Sequence, residues 1–377
     1  MKKIIILGSV SFKLDNAKVG INWIAEYFAK HGYSVTYVSS SSTILDLFSS
    51  RRRKRFIAAW LNGGRFRISQ NLEEVIFKSL WLLNRLSNGF KHKTAGMLQL
   101  PLINDHYDIL ISTVGALSLF ADKINAQHKI LRLQDHPHDF GMSGYVVNNF
   151  ERLLSSRYFD QIWSVSKALY LYAAQFHSKD NLYLPNGVNL LGFSEVNNIT
   201  NAKNVVYVGV FSDWVDLKLI YDTAMLLRDW QFDLYGHNLH ESLPMPENVA
   251  YYGPVENIKI PEILPNYSIG LIPFKNSPHI QVVERPLKFS QYLAAGLGVA
   301  SVDYGGLRQG MGDWVCYGNT AEEFSIAIKQ AYIQRQSRSK EDVMDYLKNY
   351  DWSIILAQMY DLVDKINIKH SSSVLGN

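Results

Sequence analysis

The sequence predicts an α/β protein of two doubly wound domains, each with a parallel sheet covered by helices. Two series of short apolar segments, alternating with segments of helical period, support this prediction. A cluster of Asn, Ser and Thr residues between Pro185 and Ala202 separates the two series. The length of 377 residues also suits two domains, because one hydrophobic core rarely extends over so long a chain.

The first series predicts five strands, over residues 3–8, 35–38, 107–112, 129–133 and 161–165. Apolar residues at helical spacing over 21–29, followed by Gly32, predict a helix that ends at that glycine. A second helix is expected over 146–155. Strands spaced by helical segments are typical of parallel sheets that are covered on both faces.

The second series repeats the pattern. It predicts strands over residues 205–209, 232–236, 249–253, 269–273 and 299–302, and helices over 217–227, 287–295 and 321–334. In open parallel sheets, ligands bind outside the carboxyl ends of the strands. Residues that directly follow strands are therefore the first candidates for a functional site.

A segment between Ser39 and Pro101 interrupts the first series. Apolar residues that predict one helical face recur along its later part, at Leu72, Val75, Ile76, Leu80, Leu83 and Leu86. Its earlier part combines cations with interleaved aromatic residues, and the candidates for a membrane surface are Arg51, Arg52, Arg53, Lys54, Arg55 and Trp60. An anionic membrane surface and a solvated helix face both explain this composition. Nucleic acid is not expected, since the rest of the chain carries no nucleic-acid-binding signature.

Composition excludes several other classes. The single cysteine, Cys316, rules out a disulfide framework and a cysteine-rich metal site. No stretch is long and apolar enough to predict a membrane span. The loop after the first strand lacks the GxGxxG fingerprint, which disfavours a dinucleotide-binding site.

The sharpest motif in the second series is the run from Val283 to Gly296. Pro286 suits the start of a helix, and Lys288 falls in the first turn, where free N–H groups and the helix dipole favour anions. Glu284 is placed to accept hydrogen bonds from a ribose, and Gln291 follows one turn after Lys288. These residues predict a diphosphate site, although an ordinary amphipathic helix with a solvated lysine also fits them.

This run resembles the nucleotide-binding signature of GT-B glycosyltransferases, Pro-Leu-Lys-x-x-x-Tyr-Leu-Ala-x-Gly. Further similar segments lie at 184–188, 207–213, 252–255 and 272–274, so that the resemblance covers nearly all of the chain. It implies two Rossmann-like domains that face an inter-domain cleft, over residues 1–188 and 189–350, and a C-terminal helix, 351–377, that crosses back to the first domain. It also implies a UDP-sugar donor, no catalytic metal or other cofactor, and donor-binding roles for Lys288, Gln291, Glu284, Leu287, Phe211, Phe274, Gly209 and Arg132.

One departure from the common retaining families narrows the resemblance. Those enzymes have two glutamates eight positions apart, where this chain has Val283 and Gln291. Lys288 and Gln291 instead resemble the xanthan-type inverting glucuronosyltransferase family, which adds glucuronic acid to a lipid-linked oligosaccharide. The segment 129–135, which ends in Arg-x-x-Asp, is similar to the strand that carries that family's catalytic base. The resemblance implies Asp135 as the base and UDP-glucuronate as the donor, and Arg132 is a candidate to bind the negatively charged sugar.

Asp135 is also a candidate on its own chemistry. It follows a predicted strand, and an inverting transfer needs one base to take the proton of the acceptor hydroxyl. Asp139 remains an alternative base, and a simple capping role for Asp135 remains open. The run from Asp135 to Asp139 also contains two histidines, but Pro137 stiffens it and no neighbouring ligand completes a metal set.

Together these features predict a cytoplasmic glycosyltransferase, peripheral at the inner face of the cell membrane, in surface polysaccharide synthesis. Its expected acceptor is a polyprenyl-diphosphate-linked saccharide. Three alternatives remain open. They are a retaining GT-B hexosyltransferase for another UDP- or GDP-sugar, a UDP-sugar 2-epimerase, and a non-catalytic partner that binds a nucleotide-sugar.

Overall fold

The computed structural model describes residues 1–377 except 16–17, 50–51, 84–87, 140, 177–179, 194–199, 240–243 and 375–377. The side chains of Leu100 and of residues 366–374 are likewise outside the description. The chain divides into two compact units. The first comprises Met1–Leu184 with Met359–Asn377, and the second comprises Pro185–Gln358.

The first unit contains an eight-stranded sheet in the order β3-β4-β2-β1-β5-β6-β7-β8. All neighbouring strands pair in parallel except the edge pair β3 and β4. The central strands are apolar and buried on both faces, as expected for a covered parallel sheet. The strands are β1 (Lys3–Leu7), β2 (Ser34–Thr43), β3 (Arg65–Ser69), β4 (Leu72–Ser79), β5 (His106–Thr113), β6 (Asn125–Leu133), β7 (Gln161–Ser164) and β8 (Asp180–Tyr183).

The five strands predicted for this unit are confirmed, but the helix predicted from Leu72 onward is wrong. Leu72–Ser79 forms strand β4, which pairs in parallel with β2 from Val35 to Ser39. The consecutive residues Val75, Ile76 and Phe77 are all buried. A strand that is covered on both faces has an unbroken apolar run, and such a run also satisfies part of a helical period. Leu86, the last residue of the predicted face, lies outside the described residues.

Among the described residues up to 184, the helices are α1 (Gly20–Lys30), α2 (Arg53–Phe56), α3 (Gly89–Met97), α4 (Leu100–Ile103), α5 (Gly144–Ser155) and α6 (Lys167–Ala174). Helix α5 begins at Ser143, whose side chain accepts a hydrogen bond from the backbone N–H of Val146. Ser166 caps α6 in the same way. Helices α1 and α5 confirm the two helices that the apolar spacing predicts in this unit.

The second unit contains a six-stranded, wholly parallel sheet in the order β11-β10-β9-β12-β13-β14. The first strand, β9, lies between β10 and β12, so the strand order reverses there and creates the switch point where open sheets bind ligands. All five predicted strands are present, and the two-residue β14 was missed. The strands are β9 (Asn204–Val208), β10 (Gln231–Tyr235), β11 (Val249–Gly253), β12 (Ile269–Ile272), β13 (Gly298–Ser301) and β14 (Cys316–Tyr317).

The helices that follow in the chain are α7 (Leu217–Leu226), α8 (Ile260–Ile263), α9 (Pro278–Gln281), α10 (Leu287–Ala294), α11 (Leu307–Met311), α12 (Ala321–Gln336), α13 (Lys340–Leu347) and α14 (Trp352–Val374). Helix α14 begins in the second unit, and its residues from Met359 onward belong to the first. There the ring of Tyr360 stacks 5.9 Å from that of Phe28 in α1. Within the described parts of the chain, none of the helices has both the length and the apolar character needed to cross a bilayer.

The turn at the start of the second unit requires a glycine. The backbone N–H of Val188 donates to the carbonyl of Tyr350, and the N–H of Trp352 donates to the carbonyl of Val188. This pairing brings the chain so close that a Cβ on Gly187 would lie 2.7 Å from the Trp352 ring and 3.0 Å from its Cα. Rotation of the indole cannot relieve the contact with the backbone atom.

We therefore expect Gly187→Ala to destabilise the protein by about 2–3 kcal/mol, the usual cost of overpacking a buried contact. The control is Gly144→Ala in the first turn of α5, where a Cβ would meet nothing within 4 Å. That change should alter stability by less than about 1 kcal/mol. Thermal unfolding followed by circular dichroism measures both variants, and equal melting temperatures would contradict this account of the turn.

Candidate functional site

In the second unit, the neighbouring strands β9 and β10 both end at a glycine. The backbone N–H of Gly209 donates to the carbonyl of Tyr235 at 2.9 Å. A Cβ on Gly236 would lie 1.8 Å from the Gly209 carbonyl oxygen, so no other residue fits there without a backbone shift. Phe211 follows the first glycine and packs its ring 5.0 Å from that of Tyr207. The two glycines thus leave the carboxyl ends of the strands free of side chains.

Lys288 lies at this edge of the sheet. It stands in the first turn of α10, and its Nζ is 3.3 Å from the hydroxyl of Tyr207. The same Nζ lies 4.5 Å from the Tyr207 ring centroid and 5.1 Å from that of Phe274, which follows β12. A Cβ on Gly209 would lie 2.9 Å from this amino group. The glycine turn and two aromatic rings therefore form a box around the ammonium.

The electrostatics of the box are unusual for a lysine. Burial lowers the pKa of Lys288 from 10.5 to about 7. None of the ion pairs between described residues includes Lys288, so the box supplies ring faces and a hydroxyl but no carboxylate. An ammonium without a counter-charge, at a helix N-terminus, attracts an anion such as a diphosphate.

The other predicted residues of this motif surround the start of α10. Glu284 is buried, with a relative exposure of 5%, and the backbones of Gly306 and Gly310 pack directly against it. Gln291 is half-buried one turn after Lys288, whereas Leu287 is 36% exposed. The structure thus groups Lys288 with Gly209, Phe211 and Phe274, while the ribose contact predicted for Glu284 stays a prediction.

Two contributors to this site were missed at the level of sequence. The hydroxyl of Tyr207 accepts a hydrogen bond from the Lys288 ammonium. Its position two residues before the glycine turn was the sequence signal that could have identified it as a site residue. Arg285 precedes α10, and its Nη1 donates to the carbonyl of Gly310 and to the hydroxyl of Tyr346. Its guanidinium lies 3.4 Å from the ring centroid of Tyr350. These contacts join the start of α10 to helices α11 and α13.

In the first unit, Asp135 follows strand β6 and is half-buried. The pKa of Asp135 is raised to about 6, chiefly by burial; a hydrogen bond with Gln134 lowers it, and the negative charge of Asp139 adds to the rise. A carboxylate with this pKa is ionised at neutral pH and is still a stronger base than an exposed aspartate. The position after a strand and the raised basicity both suit a general base.

Histidines and an acid lie close to Asp135. The His136 ring packs 4.4 Å from that of Tyr172, and its Nδ1 is 4.0 Å from an Asp139 oxygen. The Nε2 of His138 is 2.9 Å from a carboxylate oxygen of Glu151. Among the residues that the structure describes, no group of three His, Cys, Asp or Glu side chains is arranged to hold a metal ion.

Arg132, predicted to bind a charged sugar, lies inside the sheet of the first unit. Its side chain is 1% exposed, and its Nη1 donates to the carbonyl of Leu184 at 2.5 Å. Burial lowers its pKa to about 9. In this position the guanidinium supports the chain after β8, and the contact with a charged sugar that was predicted for Arg132 stays a prediction.

The segment of cations and aromatic residues from Arg51 to Trp60 is only partly exposed where the structure describes it. Arg55 is 11% exposed and pairs with Asp15 at 2.8 Å, and Arg52 pairs with Asp46 at 3.3 Å. Trp60 is half-buried and packs against a small core of Ala58, Ala59 and Ile76. Arg53 and Lys54 are exposed, and Arg51 lies outside the described residues. The side chains of Arg55 and Trp60 thus face partly inward, and the membrane-surface role predicted for these residues stays a prediction.

Comparison with known proteins identifies the fold. No model of a protein family matches the chain. The putative teichuronic acid biosynthesis glycosyltransferase TuaH of Bacillus subtilis strain 168 is 26% identical over 164 residues. That match covers 41% of this chain and 41% of the relative, so the chain spans about two fifths of the relative's length.

Two solved structures match nearly the whole chain. Sucrose-phosphate synthase from Thermosynechococcus elongatus has a TM-score of 0.70 at 14% identity, over 98% of this chain and 100% of that chain. Anabaena HepE in complex with UDP and glucose has a TM-score of 0.66 at 13% identity, over 97% of this chain and 100% of that chain. The two parallel-sheet units have the GT-B fold of glycosyltransferases, which confirms the predicted fold class.

We expect Lys288→Met to stabilise the unliganded protein, because methionine fills the aromatic box without a buried charge. The control is Lys275→Met, which removes an exposed lysine of the same unit. In the folded protein the pKa of Lys288 lies near 7, below its ordinary 10.5, so the unfolded chain binds more protons between these values. Stability of the wild type therefore rises with pH across that window.

The gain from Lys288→Met should accordingly be largest below pH 7, about 5 °C in melting temperature, and should shrink toward pH 10. Differential scanning fluorimetry of the three proteins over this range measures the effect. A lower melting temperature for Lys288→Met at every pH would show that the ammonium stabilises the empty box.

Proposed function

We propose that this chain is a glycosyltransferase that uses a UDP-sugar as its donor. The observation that carries the proposal is the Lys288 ammonium, which is held in an aromatic box at the carboxyl ends of β9 and β12 with no carboxylate partner among the described residues. The GT-B fold supports it, as do a curated relative named as a glycosyltransferase and a similar structure solved with UDP and glucose.

On the donor side, the diphosphate binds to Lys288 and to the free N–H groups at the start of α10. As the bond between the anomeric carbon and the diphosphate breaks, negative charge grows on the departing oxygen. The ammonium and the helix N-terminus stabilise that charge without reorganisation, which lowers the barrier to transfer. Because these groups supply the positive charge, we expect activity to persist in EDTA without added divalent metal.

On the acceptor side, Asp135 acts as the base. Its carboxylate takes the proton of the acceptor hydroxyl while that oxygen attacks the anomeric carbon from the face opposite the diphosphate. The new glycosidic bond forms as UDP leaves, so the configuration at the anomeric carbon inverts. The pKa of about 6 keeps Asp135 ionised at neutral pH and basic enough to accept the proton.

The finer assignment concerns the two substrates. We propose glucuronic acid as the transferred sugar and a polyprenyl-diphosphate-linked saccharide as the acceptor, with the enzyme peripheral at the inner face of the cell membrane. The Arg-x-x-Asp segment that ends at Asp135 and the Lys288–Gln291 pair support this choice by resemblance. The name of the Bacillus subtilis relative, which refers to teichuronic acid biosynthesis, agrees with a uronic acid product.

The donor site is tested by UDP binding. Lys288→Met should weaken UDP binding at pH 7 by at least about tenfold, since a charge-assisted contact to the diphosphate contributes roughly 1.5–3 kcal/mol. Lys275→Met, an exposed lysine in the same unit, should bind UDP like the wild type. Isothermal titration calorimetry measures both, and equal loss in the two variants would reject Lys288 as the diphosphate ligand.

The base is tested by a pH profile. Because Asp135 must be ionised to accept a proton, kcat/KM should fall as the pH drops below about 6. Asp135→Asn should lower kcat by about 10²–10⁴ while UDP binding is retained. Asp139→Asn should stay active and move the acid limb to lower pH, because the Asp139 charge raises the pKa of Asp135. A large loss in Asp139→Asn with an active Asp135→Asn would make Asp139 the base.

The donor sugar and the stereochemistry need a separate test. We expect UDP-glucuronate to raise the melting temperature more than UDP-glucose does at the same concentration, because a specific ligand stabilises the folded state by mass action. NMR of the product should show a β-linkage formed from the α-linked donor. An α-linked product would indicate a retaining enzyme, and a free epimer released without acceptor would indicate an epimerase.

A further inference from the structure

A short 3₁₀ turn in the first unit exposes its apolar side chains and buries its acidic one. The turn Ile44–Phe48 follows strand β2, and its apolar residues point outward. Leu45 is 55% exposed and Phe48 is 79% exposed, and Ile44 and Leu47 are also exposed. Asp46, the acidic residue of the turn, is 2% exposed. A turn in contact with water alone would bury the leucines and expose the aspartate.

Hydrogen bonds and an ion pair hold this apolar turn in place. One carboxylate oxygen of Asp46 accepts from the backbone N–H of Thr43 at 3.0 Å, and the other lies 3.3 Å from Arg52. The Nε of Arg53 donates to the carbonyl of Leu47 at 3.1 Å. The buried aspartate thus fixes the outward direction of its apolar neighbours, which shows that their exposure is built into the local structure.

Further apolar side chains lie beside the turn. Strands β2 and β4 end together, with Thr43 opposite Ser79. The residues that follow β4 therefore emerge next to Ile44, and among them Trp81 is 41% exposed and Leu82 37%. The exposed apolar surface thus combines the turn with the segment that follows β4.

The exposed charges in the stretch after the turn are of one sign. The sequence contains no Asp or Glu between Asp46 and Glu73, and Arg53 and Lys54 of that stretch are exposed. A second copy of this chain would bring these cations against each other. The cores of protein interfaces are also depleted in lysine and charge. An apolar surface flanked by cations matches the boundary between anionic headgroups and acyl chains.

We propose that the apolar turn Ile44–Phe48 inserts into the headgroup boundary of an anionic bilayer, with Arg53 and Lys54 at the lipid phosphates. This deepens the membrane attachment in the proposed function. It requires neither the donor sugar nor the catalytic base, so the two can fail separately. Attachment then depends on insertion of leucine and phenylalanine side chains, and the inward-facing Arg55 and Trp60 contribute through packing of the segment.

The test is co-sedimentation with vesicles of equal parts phosphatidylglycerol and phosphatidylcholine. We expect Leu45→Ser with Phe48→Ser to lower the vesicle affinity at least tenfold. Ile258→Ser, which removes an 80% exposed residue of the second unit, should leave the affinity unchanged. Arg53→Gln with Lys54→Gln should remove the preference for phosphatidylglycerol over pure phosphatidylcholine. The far-UV circular dichroism spectrum and the melting temperature should remain at the wild-type values in all three proteins, which shows that each is folded.

A second measurement reports insertion directly. Phe48→Cys in a Cys316→Ser background carries one cysteine, to which an NBD fluorophore is attached. We expect a blue shift and an intensity increase when anionic vesicles are added, and none from the same label at Ile258→Cys. Three results would overturn the proposal: wild-type vesicle affinity in the Leu45→Ser, Phe48→Ser protein, an unshifted label at position 48 on bound protein, or dimerisation through the turn without vesicle binding.

Discussion

The constraint on which the second unit depends is a buried ammonium for which none of the described residues supplies a carboxylate partner. Taking a charge out of water costs free energy, and the lowered pKa of Lys288 reflects that cost. Glycine at position 209 leaves room for the amino group, and the Tyr207 hydroxyl is its hydrogen-bond acceptor. The arrangement is unfavourable in the absence of an anion. Under the proposed function, this cost in stability is exchanged for affinity toward a diphosphate.

The functional groups of both units occupy equivalent places, since each follows the carboxyl end of a strand. Asp135 follows β6, Gly209 follows β9, and Phe274 follows β12. The apolar turn follows β2, next to the end of β4. Parallel sheets bring all of these ends to one edge within each unit, so in the first unit the proposed base and the proposed attachment turn follow strands that end at the same edge.

Much of the fold followed from local sequence pattern. The strands of the second unit and the helix that carries Lys288 are short, regular and bounded by glycine or proline, so spacing alone predicted them. Leu72–Ser79 was misread because a strand buried on both faces lacks the alternation that distinguishes it from a helix. The edge strand β3 was missed for another reason: Arg65–Ser69 does alternate in exposure, but its arginines were read as part of the run of cations.

Part of the site depended on contacts that are distant in sequence. Arg55 pairs with Asp15, forty residues away, and nothing in the basic run predicts that pairing. Arg132 is a residue type that often binds anionic ligands, but here its guanidinium donates to the carbonyl of Leu184. The outward orientation of Phe48 depends on the capping and ion pairing of Asp46, so its role was not visible in composition. Motifs predicted which residue types matter, and tertiary contacts decided which of them are accessible.

The most direct measurement is the titration of Lys288 itself by NMR of protein with isotopically labelled lysine, with Lys288→Met used to assign the resonance. In the free protein the account predicts a pKa of about 7, and saturating UDP should raise it toward the ordinary 10.5 because the diphosphate supplies the missing counter-charge. A pKa near 10.5 in the free protein, unchanged when UDP is added, would contradict the account.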